Sequence, residues 1–425
     1  MKNGLLLGAG FSYDLGMPTA NELTEVFLGL FNKKNSNHLA AALSCNQPFS
    51  EDRPINKKAI DESFDLLLTY KADKCGNYED LLSKLQDLSG QPDKNQSDKD
   101  SYHYVFGMLY EVIHSILSIY QAVSYDILYP KNLKWFSKLE NLLSDRETWV
   151  FSLNHDLFFE CLAIDLNIPV TYGDTGAMTF PISNMEMNET ISFSCHTRSD
   201  YSASNAGFIN NQKGVNLVKL HGSLSELEYS DKNIICNPTL RKNTSRELMD
   251  DIQKIERMAY YHQSKKIPSS RDRIITNMNG ELDVISKSML TGGRKYSKTA
   301  NAKKGEEKLI VFDTILSQLN QLTVIGYGFG DRHINFRISN AMARRDNLTI
   351  QVVDPAYMKP PEFLESFDYD SRIKMALCGA AHWMDYSQSR KWDTEQIESL
   401  KENAKLRTEI RNNVEAILHA NTFKI

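Results

Sequence analysis

Spacings that build metal or disulfide modules are missing from this sequence. Its 425 residues hold six cysteines, at positions 45, 75, 161, 195, 236 and 378, without a CxxC pair or a close cysteine and histidine cluster. Neither a zinc module nor a disulfide framework is expected, and free thiols fit a reducing cytoplasm. Long apolar runs are also scarce. The N-terminus offers only Leu5 to Leu7 before glycine and aspartate arrive, too short for a signal-peptide core. The densest later stretch, Val105 to Val123, is broken by Glu111, His114 and Gln121, so it reads as a buried helix and no membrane span is expected. Charge bias is absent too: 49 basic against 54 acidic side chains leave −5 with histidine neutral, which argues against a protein that coats nucleic acid over its whole surface.

What remains is an ordinary globular composition, 41 % hydrophobic and 24 % charged, long enough for two or three structural units. Short apolar runs recur at Leu5 to Leu7, Trp149 to Leu153, Val215 to Leu220, Leu322 to Ile325 and Leu348 to Val353. Each ends abruptly in small or polar residues: Gly8-Ala9-Gly10, Asn154-His155-Asp156, His221-Gly222-Ser223, Gly326-Tyr327-Gly328 and Asp354-Pro355. Continuous runs of this kind suit strands buried on both faces of a parallel sheet, whose ligands bind beyond the carboxyl ends of the strands. The expected fold is therefore α/β, a Rossmann-like parallel sheet with a large helical insertion and a second, smaller one. Its sheet domain is drawn from residues 1–34, 146–225 and 308–390. Helices are expected at Ile60 to Tyr70, Tyr78 to Leu88 and Tyr102 to Leu128 within a helical insertion at 35–145, with Lys94 to Asp100 as a surface loop. An insertion at 226–307 carries ten Lys/Arg against three Asp/Glu between Lys265 and Lys304, locally 10 − 3 = +7, which is either a solvated face or a docking surface. Residues 391–425 form a C-terminal helix with a stripe of Ile397, Leu400, Ala404, Ile410, Val414 and Ile417.

The strand endings hold the chemistry. Gly8, Ala9, Gly10, Phe11 and Ser12 follow the first strand directly; glycines there let a backbone approach a pyrophosphate at a helix N-terminus, although a plain tight turn is the alternative. The spacing is not GxGxxG, and no acidic residue ends a second strand some 20 residues on, so a hydride-transferring dinucleotide enzyme is disfavoured. Asn154 can orient a water or a leaving group and Asp156 can accept an amide hydrogen bond, although both residue types also end strands as turns. An ordinary histidine changes charge near neutral pH, so His221 suits base work, or it serves as a structural histidine. Gly326, Tyr327 and Gly328 open a second glycine-rich loop, and Asp354 offers a carboxylate to ribose or adenine.

In order, GAGFSYDLGMP, SLNHD, KLHGS, GYGFGD and VVDP resemble the sirtuin family. Two features depart from the protein-deacylating members: the four-cysteine zinc ribbon is missing, and Pro18 is followed by Thr-Ala-Asn where those members carry Pro-x-Phe-Arg. With the large helical insertion, this is similar to the bacterial anti-phage branch, which cleaves NAD⁺ to nicotinamide and ADP-ribose. The resemblance implies NAD⁺ as substrate, with Asn154 orienting water and ribose, Asp156 on the carboxamide and His221 as general base. Gly8, Ala9, Gly10, Phe11 and Ser12 would hold the pyrophosphate, and Gly326, Tyr327, Gly328 and Asp354 the adenosine side. No metal is expected; a metal-dependent hydrolysis through His155, Asp156 and His221 would lack a supporting cluster. Partners implied are further copies of the chain in a homo-oligomer and a HerA-type ATPase, an Argonaute or another defence protein, with nucleic acid reached through that partner. Protein deacylation and a non-catalytic NAD⁺ or ADP-ribose sensor are the competing functions.

Overall fold

The computed structural model describes residues 2–45, 54–74, 76–231, 233–269, 271–289, 306–369 and 371–421. Seven strands form the expected parallel sheet: β1 (Asn3–Leu7), β2 (Glu147–Ser152), β3 (Val170–Thr171), β4 (Gly214–Lys219), β5 (Gln321–Ile325), β6 (Thr349–Val353) and β7 (Ile373–Ala376). Their order across the sheet is β7-β6-β5-β1-β2-β4-β3, and every pairing is parallel. Leu5, Val150, Leu217, Leu322 and Ile350 are each 1 % exposed or less, as strands covered on both faces require. From β1 the chain proceeds to β2 on one side and later returns through β5 on the other, so β1 and β5 flank the switch point of the sheet. Crevices for ligands open at the carboxyl ends of strands there. The loops leaving β1 and β5 are the two glycine-rich segments.

Antiparallel structure was not anticipated. Six strands, ordered Asp272–Thr276, Leu282–Lys287, Leu227–Tyr229, Ile234–Pro238, Glu186–Thr197 and Gly176–Ser183, make a second sheet. It joins strands of the 226–307 segment to a hairpin from the 146–225 segment, so two stretches of chain build one layer. One face packs Phe180, Phe193, Leu227, Cys236, Ile275 and Ile285 into a core with Ile255 and Met258 of and after the helix Ser245–Arg257. Lys265 and Lys266 lie exposed on a short hairpin with Tyr261–His262; Arg294, Lys295, Lys303 and Lys304 fall outside the described residues.

The chain divides into two compact units: the sheets belong to one, whose described residues run through 2–17, 121–289 and 306–410, and helices from 18–120 and 411–421 make the other. In the helical unit, Lys57–Asp73 and Tyr78–Ser89 bury Ile60, Phe64, Leu67, Leu81, Leu82 and Leu85 at helical spacing. Thr19 with Glu22 and Asn77 with Asp80 close capping boxes at two helix starts. The expected loop at Lys94 to Asp100 is shorter, because the helix Gln96–Ile127 already starts inside it with Asn95 Oδ1 accepting the Asp98 amide at 2.8 Å. In the helix Thr394–Asn421, Ala404 and Ile417 face outward; the buried side is Gln396, Asn403, Ile410, Val414 and Leu418. Polar members of that side find partners on other elements: Gln396 donates to the Ala381 carbonyl and Asn403 to Asn132 Oδ1.

Candidate active site

At the switch point, backbone meets backbone. Gly326 has φ +63°, a left-handed conformation, and a Cβ there would lie 2.4 Å from the Cα and C of Gly10. The Gly8 amide donates to the Ile325 carbonyl at 3.0 Å and the Gly10 amide to the Gly326 carbonyl at 2.8 Å. These two N–H groups, expected to face a pyrophosphate, are therefore committed to the neighbouring loop. The helix after Gly8 is short, Ala9–Tyr13. Phe11 is fully buried, its ring 5.7 Å from Phe136 and 6.0 Å from Phe159, so its side chain serves the core and any ligand contact falls to its backbone. Ala9 is exposed at the rim.

Ser12 connects this loop to the one after β2. Its hydroxyl donates to Asp156 Oδ1 at 2.9 Å and accepts from Asn154 Nδ2 at 3.1 Å; the same amide also donates to the Gly8 carbonyl at 2.9 Å. Asp156 Oδ1 additionally accepts the Phe158 amide at 3.0 Å. Burial pushes the Asp156 carboxyl above its ordinary value, opposed by Lys219, the Phe158 amide and Ser12. Asn154, Asp156, Ser12 and Gly8 thus form one buried cluster.

Lys219 ends β4 with its ammonium 2.5 Å from the Asp156 carbonyl and 3.2 Å from Glu160 Oε1, which Tyr172 also contacts at 3.0 Å. Glu160 is fully buried, and burial raises its carboxyl despite Lys219. Local pattern assigns this pair no role; its one signal in the sequence is a lysine in the largely apolar run Val215 to Leu220, where Asn216 is the other polar residue. One turn on, His221 is 3 % exposed, its Nε2 2.9 Å from Asp331 Oδ2 and its ring 6.3 Å from that of His155. Gly222 turns the chain with φ +69° where a Cβ would strike the Ser288 carbonyl at 2.7 Å. The Leu224 amide donates to the His155 carbonyl at 2.9 Å, joining this loop to the one after β2.

The β5 loop is part scaffold, part open. The Tyr327 hydroxyl donates to Asn335 Oδ1 at 3.0 Å and accepts the Asp331 amide at 3.1 Å, so Tyr327 braces the loop. A Cβ on Gly328 would meet open space, while its carbonyl accepts the Tyr357 hydroxyl at 2.8 Å. Beyond it, Phe329 gathers Tyr357 and Phe363, each 5.6 Å away, an aromatic group that the sequence reading did not single out. Asp354 directly follows β6 and accepts the Ala356 amide at 2.8 Å; burial raises its carboxyl. Among the described residues, no group of three or more His, Cys, Asp or Glu could hold a metal ion. No described helix is long and apolar enough to cross a membrane.

No family model matches the chain, and no curated protein does. Among solved structures, the chain aligns with one described as showing the structural basis for the mechanism and regulation of Sir2 enzymes, at TM-score 0.32 and 7 % identity over 95 % of this chain and 93 % of that one. Two Sir2 homologue mutants in complex with ADP ribose align at TM-scores of 0.32 and 0.34, with 10 % and 9 % identity, covering 95 % and 100 % of this chain and 94 % of each of theirs. At such scores the functional reading rests on the chain's own residues.

Proposed function

We propose that the protein is an NAD⁺ glycohydrolase that releases nicotinamide and ADP-ribose. The observation that carries this reading is the cluster at the switch point: Ser12, Asn154 and Asp156, from two strand-end loops, hydrogen bond to one another beside the glycine loops, and His221 closes the neighbouring strand end with a carboxylate partner. The bond to be cleaved joins the ribose anomeric carbon to a cationic nicotinamide ring, which leaves with the bonding pair and becomes neutral. Water supplies the new C–O bond, and its surplus proton passes to His221. With so good a leaving group, the site has chiefly to position water and stabilise an oxocarbenium-like state. Asn154 and Ser12 hold the loop edge against which ribose would lie, Asp156 addresses the carboxamide, and the open β5 loop with Gly328 and Asp354 takes the adenosine side. Because Gly8 and Gly10 spend their amides internally, the pyrophosphate falls to the Ala9 rim and the start of the short helix.

Incubating the purified chain with NAD⁺ and separating nicotinamide, ADP-ribose and acyl-transfer products tests the reading. His221→Ala is expected to lower NAD⁺ cleavage by about 10²-fold or more, the usual contribution of a positioned base, with folding intact. Full turnover in a folded His221→Ala protein would refute it; transfer of an acyl group from a peptide would replace it with the deacylase.

An enzyme that drains NAD⁺ has to be restrained, so we place it as an effector of anti-phage defence, active in a homo-oligomer and with a defence partner such as a HerA-type ATPase. Lys265 and Lys266 are the exposed basic residues from which such a contact would be built. Reversing both charges should weaken assembly in light scattering, more at low salt than at high salt. A strictly monomeric chain with full, partner-independent activity would overturn this regulatory part.

A further inference from the structure

Asp331 ends the β5 loop and divides its carboxylate between two neighbours. Oδ1 accepts the amides of His333 at 2.9 Å and Ile334 at 3.3 Å, capping the helix Arg332–Arg344. Oδ2 stands 2.9 Å from His221 Nε2. The Asp331 amide is held in turn by the Tyr327 hydroxyl at 3.1 Å, and Tyr327 is fastened to Asn335. The carboxylate is therefore fixed from its own backbone, from the helix start and from the imidazole, with the His221 side chain 4 % exposed and that of Asp331 11 %. Capping requires only one acceptor oxygen and is served equally by serine. The second oxygen is directed at a histidine in a different strand-end loop, and capping does not account for it.

An ionised carboxylate only accepts hydrogen bonds, so the imidazole nitrogen facing it carries the proton. We propose that Asp331 is a positioning residue for His221: it holds the ring with its proton on Nε2, places the basic lone pair on Nδ1, and stabilises the imidazolium once that nitrogen has taken a proton. This rests on the reading of His221 as general base. The balance is simple: water loses a proton to Nδ1 as its oxygen bonds the anomeric carbon, the Nε2 proton stays where it is, and Asp331 remains ionised. Other ionisable groups on the described elements around His221 include His155, with its ring 6.3 Å away, Asp156 after β2, Arg332 and His333 at the start of the capped helix, and two buried ion pairs, Lys219 with Glu160 and Lys308 with Glu226. Each of those pairs joins one charge of each sign, and Asp331 Oδ2, 2.9 Å from Nε2, is the carboxylate oxygen that faces the ring among the described residues.

Two substitutions separate positioning from capping. Asp331→Ser keeps an N-cap acceptor but is too short to reach His221. Asp331→Asn keeps the cap through its carbonyl oxygen, which turns its NH₂ donor toward Nε2 and so drives the proton to Nδ1, the wrong tautomer. The readout is ¹⁵N NMR of histidine-labelled full-length protein above the pH at which the ring titrates, with His221→Gln used to assign the signal. The Nε2–H form is expected in the wild type, the Nδ1–H form in Asp331→Asn and a mixture in Asp331→Ser. In NAD⁺ cleavage, Asp331→Asn should lose about 10²-fold in kcat, the scale of the base contribution, with KM little changed. Asp331→Ser should lose less. An Nδ1–H ring in the wild type, or an unchanged tautomer in a folded Asp331→Asn protein, overturns the proposal whether or not NAD⁺ is cleaved. If the tautomer switches as described while the wild type leaves NAD⁺ intact, the positioning by Asp331 is supported and the glycohydrolase reading alone falls.

Discussion

Replacing Gly326 by alanine separates packing from ligand binding in the two glycine loops. With φ at +63°, an alanine pays about 1–2 kcal/mol for the left-handed conformation. Its Cβ would come within 2.4 Å of Gly10 Cα, Gly10 C and Phe11 N, all backbone atoms that no rotamer change can move away, adding roughly 1–3 kcal/mol of overpacking. Loss of the 2.8 Å bond from the Gly10 amide to the Gly326 carbonyl adds about 1 kcal/mol more. The sum, roughly 3–6 kcal/mol, is a large part of a domain's typical stability of about 5–15 kcal/mol. Gly328, two residues on, has nothing within 4 Å of its Cβ position, so Gly328→Ala should stay within about 0.5 kcal/mol of the wild type. Urea unfolding of both variants, followed by far-UV circular dichroism, is the assay. Gly326→Ala unfolding like the wild type, or Gly328→Ala destabilised as much as Gly326→Ala, would refute the backbone-contact argument.

Further expectations concern the buried charges. Lys219→Met leaves Glu160 buried without its ammonium and should cost about 3–5 kcal/mol, and Lys219→Met with Glu160→Gln should recover most of it; equal stability of the single and double variants in urea would count against a buried pair. Burial raises the Asp156 carboxyl in the folded chain, so its contribution is most favourable below its ordinary value of 3.8 and is lost as pH rises through the folded value. Asp156→Asn should therefore be more stable than the wild type at neutral pH, by a margin that shrinks on acidification, and a margin that grows toward low pH would contradict the assignment. Exhaustive chelation of the chain assayed alone should leave its melting temperature and NAD⁺ cleavage unchanged, because no three His, Cys, Asp or Glu side chains among the described residues are grouped to hold a metal ion, and Asp156 and His221 are engaged by Ser12, Phe158 and Asp331. Stoichiometric zinc whose removal abolishes activity would show otherwise.

Local pattern alone determined a good deal here. Apolar runs bounded by polar endings mark β1, β2, β4, β5 and β6 because a strand buried on both faces admits few polar side chains until it stops; those inside, such as Asn216 and Lys219 in β4, are held by hydrogen bonds or an ion pair. The capping box at Thr19 and the helical stripes from Ile60 onward are likewise local, since the groups that interact lie within a turn of one another. The antiparallel sheet was not legible, because its strands come from segments on either side of β4 and only pairing between them makes a layer. Nor was the fate of Gly8 and Gly10 amides: whether an N–H faces a ligand or a carbonyl is decided by the neighbouring strand's loop, more than 300 residues away in sequence. The partners of His221 and Asp156 follow the same rule. A histidine at a strand end is visible in sequence, but the carboxylate 110 residues later that faces it is set by the order of strands across the sheet.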